Sequence, residues 1–220
     1  MGSLQTMSTT TEWAASSRRA DREPLHLRQI DLQGYRRSDG LFEVEGRLRD
    51  TKPFDFRPPS DGRLVPAQTP VHDMWVRVVF DGGLIVQSVQ TSMDAFPYET
   101  CPGGGGSLQA LVGIRIGAGW GAEVRRALPA ADTCTHLREI LVPLASAVFQ
   151  SMTIYRSDMV NATDPTGRPL KIDSCHAYGA SRALVQRRWP MFHRDASTSD
   201  GGAGLTRSES APEITRREAP

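Results

Sequence analysis

The sequence predicts an α+β fold, in which a small antiparallel β-sheet has helices packed on one face. Three segments lead to this prediction. Residues 41–49 alternate apolar and polar side chains, and residues 74–90 contain two β-branched runs around a glycine turn. Residues 134–152 repeat apolar side chains every three or four positions, as an amphipathic helix does.

The strands are predicted from alternation and from turn residues. Alternation over residues 41–49 places Phe42, Val44 and Leu48 on one face, which is the pattern of a half-buried strand. Residues 74–80 and 84–90 flank the turn Asp81-Gly-Gly83. Two such runs around a glycine-containing turn predict a β-hairpin.

The second half of the sequence has helical spacing. Residues 108–116 fit a short apolar helix, and a longer helix is predicted from about Cys134 to Met152, capped by Asp132 or Thr133. Before these helices, the glycines at 103–106 predict a mobile loop that carries Cys101. A final extended pair is predicted at residues 170–174 and 183–189.

The two ends differ in composition from the middle. Residues 1–23 and 193–220 are rich in Ser, Gly, Pro, Thr and mixed charge, with few large apolar side chains. Such segments are typical of disordered tails. A single domain is therefore predicted over residues 24–192, and 39% hydrophobic residues are enough to build one core.

Charge and hydropathy exclude several classes of partner. The 26 basic residues are balanced by 25 acidic residues, and no basic stripe is interleaved with aromatics, so nucleic acid is not an expected partner. No run reaches the roughly 18 apolar residues of a membrane span, and no signal peptide is recognised. We expect a cytoplasmic protein without a membrane partner, in which three cysteines are free thiols.

Thiols, imidazoles and carboxylates lie close together in this sequence, at Cys134-Thr-His136, at Cys175-His176, and at His72-Asp73, about thirty residues before Cys101. These residue types bind borderline metals and perform nucleophilic or acid/base chemistry. The predicted catalytic residues are His72, Asp73, Asp94, Cys134, His136 and His176. Because a helix N-terminus favours the thiolate, Cys134 is predicted to be the most activated thiol.

Two alternatives to this interpretation stay open. Free cysteines are small residues that are often simply buried, and histidines beside helix starts often bond only to backbone. A divalent metal is the other alternative, with Cys101, Cys134 and Cys175 as candidate ligands. Spacing alone does not define such a site, because the sequence contains neither Cys-x-x-Cys nor His-Glu-x-x-His.

Several strings occur in an order that resembles the bacterial family catalogued as domain of unknown function 2889, over about residues 25–189. They are residues 33–52, Pro70-Val-His-Asp-Met74, Phe96-Pro-Tyr98 with Cys101, Gly117-Ala-Gly-Trp120, Cys134-Thr-His-Leu137 and Ile172-Asp-Ser-Cys-His-Ala177. Members tend to be encoded near genes for the catabolism of aromatic and lignin-derived compounds. The resemblance therefore implies a small-molecule enzyme.

The order of elements also resembles, more distantly, NifU-like iron–sulfur scaffolds and SufE-like sulfur acceptors. In the scaffolds, one cysteine precedes the first strand and a second follows the next strand. Here Val71 stands at the first position and Asp94 lies near the second, while Cys134 matches the cysteine that starts the helix. A labile cluster needs several thiolates, so these departures favour a mixed His/Asp/Cys centre.

Two hypotheses of function follow. In the first, the protein is a lyase or hydrolase that acts on a small aromatic catabolite. A carboxylate or imidazole would remove a proton, and a thiolate or divalent metal would stabilise the resulting anion. Arg36, Arg37 or Tyr98 would hold an acidic group of the substrate. In the second hypothesis, it is a non-catalytic metal, sulfur or iron–sulfur carrier or an accessory protein. A homo-oligomer is compatible with both.

Overall fold

The computed structural model describes residues 21–59, 62–157 and 161–195. The chain divides into two compact units, of which the first ends at Tyr155 and the second begins at Arg156. The predicted disordered tails lie outside the described residues, except for residues 21–23 and 193–195.

The first unit is built on a four-stranded antiparallel sheet with the strand order β1-β2-β3-β4. The strands are β1 (Leu27–Arg36), β2 (Phe42–Thr51), β3 (Pro70–Phe80) and β4 (Val86–Ala95). The predicted α+β class is confirmed, as are the strand at 41–49 and the hairpin, which is formed by β3 and β4. Strand β1 was not predicted, because nine of its ten residues are exposed and its apolar residues do not alternate.

The sheet has two chemically different faces, because neighbouring residues of a strand point in opposite directions. We call the face that carries Leu48 and Met74, both fully buried, the helix face. The other face carries Arg47 and Trp75, which are cross-strand partners, and we call it the opposite face. On the helix face, Gly46 leaves room for a helix, since a Cβ there would collide with the side chain of Ile140.

Three helices of the first unit follow the sheet. They are a 3-10 helix (Cys101–Leu111), α1 (Trp120–Ala127) and α2 (Thr135–Met152). Helix α2 confirms the predicted long helix and packs on β1, β2 and β3, and its buried side chains are Leu137, Ile140, Leu141, Leu144, Ala145, Val148 and Met152. The indole N–H of Trp120 donates to the carbonyl oxygen of Leu141 at 2.7 Å, which ties α1 to α2.

The glycines at 103–106 belong to the 3-10 helix, so the loop predicted there is wrong. The small size of Gly104 serves close packing: its carbonyl oxygen accepts from the amide of Cys134 at 3.1 Å, and a Cβ on Gly104 would collide with the same residue. This contact fixes the start of α2 against the 3-10 helix. Among the described residues, no helix is both long and apolar enough to cross a bilayer.

The described part of the second unit contains short elements around a small core. They are 3-10 helices at His176–Tyr178 and Pro190–Phe192 and helix α3 (Ala183–Arg188). Ile172, Ala180 and Val185 form the buried core. The extended pair predicted at 170–174 and 183–189 is wrong. Residues 170–174 form turns stabilised by Asp173, which accepts from the amide of Ala180 at 2.8 Å, and 183–188 are helical.

Candidate functional site

The candidate site lies where β2 ends, β3 begins and α2 starts. Asp50 of β2 is the cross-strand partner of Arg28 on β1 and of His72 on β3. Asp50 follows Leu48 by two residues and therefore lies on the helix face of the sheet. The first turn of α2 adds Cys134 and His136 at the same end.

Asp50 is the centre of this group, and its side chain is 3% exposed. Arg28 donates to both carboxylate oxygens, from Nε to Oδ1 and from Nη2 to Oδ2, each at 2.8 Å. His26 Nε2 donates to Oδ1 and His72 Nδ1 to Oδ2, each at 2.9 Å. Four donors fill the roughly four acceptor positions of a carboxylate. Burial alone would raise the pKa of Asp50, but Arg28, His26 and His72 outweigh it and lower that pKa to about 2.

His72 and His136 form a closely packed, tilted ring pair beside Asp50, with ring centroids 3.8 Å apart and planes inclined by 33°. Burial lowers the pKa of His72, and the adjacent His136 lowers it further, against the opposing hydrogen bond to Asp50. Burial also lowers the pKa of His136, followed in size by the positive charge of Arg28. Both rings are therefore neutral at neutral pH, and a neutral imidazole can accept a proton.

Cys134 is the N-cap residue of α2. Its Sγ lies 4.0 Å from His136 Nδ1 and 3.6 Å from the Sδ of Met74. The other ring nitrogen of His136, Nε2, lies 3.9 Å from Asp50 Oδ2. The order thiol, imidazole, carboxylate is that of a nucleophile, its base and an orienting group. Such contacts are often long before a substrate binds.

A cleft of about 590 Å³ opens beside the thiol, which is within the size range of small-molecule sites. Its walls come from the start of the 3-10 helix and from the segment that leads into α2. Cys101, Cys134 and His136 all line it. The remaining lining residues are Thr100, Gly103, Gly104, Ala131, Asp132, Thr133 and Thr135. The geometry thus brings two of the three cysteines to one cleft.

A metal ion has one candidate position among the described residues. Asp50, His72 and His136 each offer a ligand atom, and these atoms lie within 4.8 Å of one another. Asp50 already has four donors, so it would have to release one of them to bind a cation. Of the predicted metal ligands, Cys101 and Cys134 line the same cleft. Cys175 is an exposed residue of the second unit. All three cysteines are free thiols.

Asp73 and Asp94, two of the predicted catalytic residues, lie on the opposite face of the sheet. Asp73 is next to His72 in sequence, but adjacent residues of a strand point to different faces. Both oxygens of Asp73 accept from Arg47, at 2.7 and 2.6 Å. Asp94 accepts from the indole N–H of Trp75 at 3.0 Å. The structure therefore separates these carboxylates from His72.

The predicted substrate-binding residues have other partners. Arg36 ends β1 at the far end of the sheet from Asp50, with its guanidinium 5.5 Å from the Tyr155 ring. Arg37 pairs with Asp39 and Glu43 in the turn that follows β1. The hydroxyl of Tyr98 donates to the carbonyl oxygen of Pro59 at 2.8 Å. His176, predicted as catalytic, belongs to the second unit, where Arg182 Nη2 lies 3.3 Å from its Nδ1.

Sequence reasoning missed His26, Arg28 and Asp50. The signal for Asp50 is present in the sequence: it continues the alternation of Phe42, Val44 and Leu48 by two residues, which places a carboxylate on the buried face. A buried carboxylate requires donors. His26 and Arg28 carry no comparable signal, because the strand that positions Arg28 was itself not predicted.

A family model described as "Protein of unknown function (DUF2889)" matches residues 26–150, which is more than half of the chain. The chain belongs to this family. The matched segment contains Arg28, Asp50, His72, Cys134 and His136, and it ends before the second unit begins. No curated protein and no solved structure matches the chain. The likeness to NifU-like and SufE-like proteins therefore stays an expectation.

Proposed function

We propose that this DUF2889 chain is an enzyme that acts on a small molecule and uses a neutral imidazole beside Asp50 as its general base. One observation carries the proposal: the closely packed His72 and His136 rings lie against a buried, charged carboxylate and next to a cleft of small-molecule size. Charge and burial keep both rings in the proton-accepting form. Groups with shifted pKa values beside a cleft are typical of catalytic sites.

The two imidazoles have different roles in this proposal. His136 lines the cleft, and its Nδ1 is directed to the thiol side, so His136 is the proton acceptor. His72 donates to Asp50 and packs against the His136 ring, so it positions the base. Asp50 offsets the positive charge that His136 gains when it takes a proton.

The narrower proposal is a lyase in the catabolism of aromatic, lignin-derived compounds. Removal of a proton by a base begins many lyase reactions, and the same base can activate water in a hydrolase. The aromatic substrate class is supported by the genomic setting that the family resemblance implies. It is the class of compound to test first.

The test is turnover of a panel of lignin-derived aromatic monomers and dimers by the full chain. His136→Gln removes the proposed base, and His176→Gln makes the same exchange in the second unit as a matched control. We expect His136→Gln to lower turnover about 100-fold or more, the usual contribution of a general base, and His176→Gln to change it less than about twofold. Full turnover by His136→Gln would contradict the proposal.

A metal-bearing centre, catalytic or serving as a carrier, is the second candidate. The convergence of Asp50, His72 and His136 favours it, and the four donors on Asp50 weigh against it. Metal analysis of protein purified without chelator separates the two candidates. One equivalent of metal, lost in both His72→Ala and His136→Ala, would favour the metal centre. Turnover by metal-free protein would favour the acid/base enzyme.

A further inference from the structure

We propose that Cys134 is a covalent nucleophile and that the substrate presents it with a carbonyl carbon, an inference that rests on the proposed enzymatic function. Three independent features meet at this residue. The thiol lines the cleft, a proton acceptor lies beside it, and that acceptor is backed by a buried carboxylate.

The proton of the thiol has a defined destination. His136 Nε2 lies 3.9 Å from Asp50 Oδ2, which is beyond hydrogen-bond distance, and the negative charge of this carboxylate favours the tautomer with its hydrogen on Nε2. Nδ1 then carries the lone pair and lies 4.0 Å from Sγ. The Met74 thioether, 3.6 Å from Sγ, is a weak acceptor and competes little for this proton.

The backbone N–H groups at the start of α2 can stabilise a developing negative charge. The first amides of a helix have no intrahelical acceptor, and in α2 no side chain caps them and no acidic residue lies in the first turn. Thr135 and His136, the first two residues of the helix, line the cleft. An oxyanion formed next to Sγ would be stabilised by these amides and by the helix dipole.

The proposed step balances without an oxidant or reductant. Sγ forms a bond to the carbonyl carbon, the π electron pair moves to oxygen, and the thiol proton passes to His136 Nδ1. With an aldehyde, His136 returns the proton to the oxygen and a thiohemiacetal results. With an ester, the proton goes to the departing alkoxide, and the thioester that remains is released by water. Aldehydes and esters are therefore the substrate classes that fit.

The test uses 4-nitrophenyl acetate as an ester probe on the full chain, with stopped-flow detection of nitrophenolate and peptide mass spectrometry of the acyl adduct. We expect acylation at Cys134 at least about 100-fold faster than at exposed Cys175, and His136→Gln to remove this advantage. Cys175→Ser, in the second unit, is the matched control and should leave the rate at Cys134 unchanged. Equal rates at Cys134 and Cys175, or no effect of His136→Gln, would overturn the inference.

The covalent role of Cys134 and the general-base role of His136 would be contradicted by different results. Cys134→Ser keeps a side chain of similar size, and thermal unfolding checks that it folds. If Cys134→Ser retains the turnover that His136→Gln loses, the covalent step is overturned while the general base stands. If both variants lose turnover of the same substrate, both proposals are supported. An adduct at Cys134 without turnover of any substrate would support the nucleophile and count against the enzyme proposal.

Discussion

Two buried carboxylates, Asp50 and Asp73, lie on neighbouring strands and on different faces of one sheet. Each accepts two hydrogen bonds from one arginine, Asp50 from Arg28 and Asp73 from Arg47. The difference is in the remaining partners. Asp50 also accepts from two imidazoles, whereas the guanidinium of Arg47 covers the Trp75 ring at 4.5 Å. Pairing with one arginine holds a carboxylate in place. Imidazoles bound to the same carboxylate add groups that can accept and donate protons.

Removal of the charge of Asp50 and of Asp73, one at a time, is expected to have the largest effect on stability. Asp50→Asn leaves Arg28 and two histidines around a group that no longer carries charge, and loss of one partner from a buried pair is costly. We expect Asp50→Asn to lower the free energy of unfolding by about 3 kcal/mol. Asp73→Asn, which leaves a single arginine and no histidine without its partner, should cost about 1 kcal/mol. Urea denaturation measures both, and equal losses would contradict the distinction between the two faces.

Exchange of each arginine for lysine tests function on the two faces. Lysine keeps the charge but not the paired donors of guanidinium. Arg28→Lys should lower turnover about tenfold, because Asp50 loses the partner that holds it against His72 (about 1.4 kcal/mol for each tenfold change). Arg47→Lys should leave turnover within about twofold and cost only about 0.5–1 kcal/mol of stability, mainly from the lost contact with Trp75. A similar loss of turnover in both variants would remove the functional difference.

The pH dependence of stability should report the histidine pair. In the folded chain the pKa values of His72 and His136 lie below the ordinary 6.5. As pH falls through 6.5, the unfolded chain binds protons before the folded chain does, so the free energy of unfolding decreases until the folded pKa values are passed. Denaturation at pH 7 and pH 5 should show this loss. The variant His72→Gln/His136→Gln should lose much of it, and an unchanged slope would contradict the account.

A second, more acidic window belongs to Asp50. Its pKa is lowered to about 2 from an ordinary 3.8, so its contribution to stability is present above the ordinary value and is lost as pH falls from about 4 to about 2. Asp50→Asn should remove this part of the acid transition. Asp73→Asn provides the control for general effects of losing a carboxylate. A transition of the same size in wild type and Asp50→Asn would contradict the assignment.

Much of the sheet and the long helix could be predicted, because burial of one face imposes a strict period on β2 and α2. Strand β1 lies at the sheet edge, and its exposed residues carry no such period. The prediction of a strand at 183–189, where the structure has a helix at Ala183–Arg188, has a related origin. This segment is short and has one fully buried residue, Val185, so its sequence does not distinguish the period of a helix from that of a strand.

The site could be predicted only in part. His72, Cys134 and His136 were identified because their residue types are chemically distinctive and lie at element ends. Asp73 was included because it adjoins His72 in sequence, although strand alternation directs it to the other face. Asp50 required the register of β2 against β3, which pairs it with His72, and a single sequence does not contain that register.

The neutrality of the histidine pair is the central claim, and it can be measured without a substrate. Two-dimensional 1H–15N NMR of the ring nitrogens, recorded on the full chain from pH 8 to pH 4, gives the pKa and tautomer of each histidine. We predict that His72 and His136 both titrate below 6.5, with His72 protonated on Nδ1 and His136 on Nε2 in the neutral state. Titration of either ring above 6.5, or a charged ring at pH 7, would contradict the account.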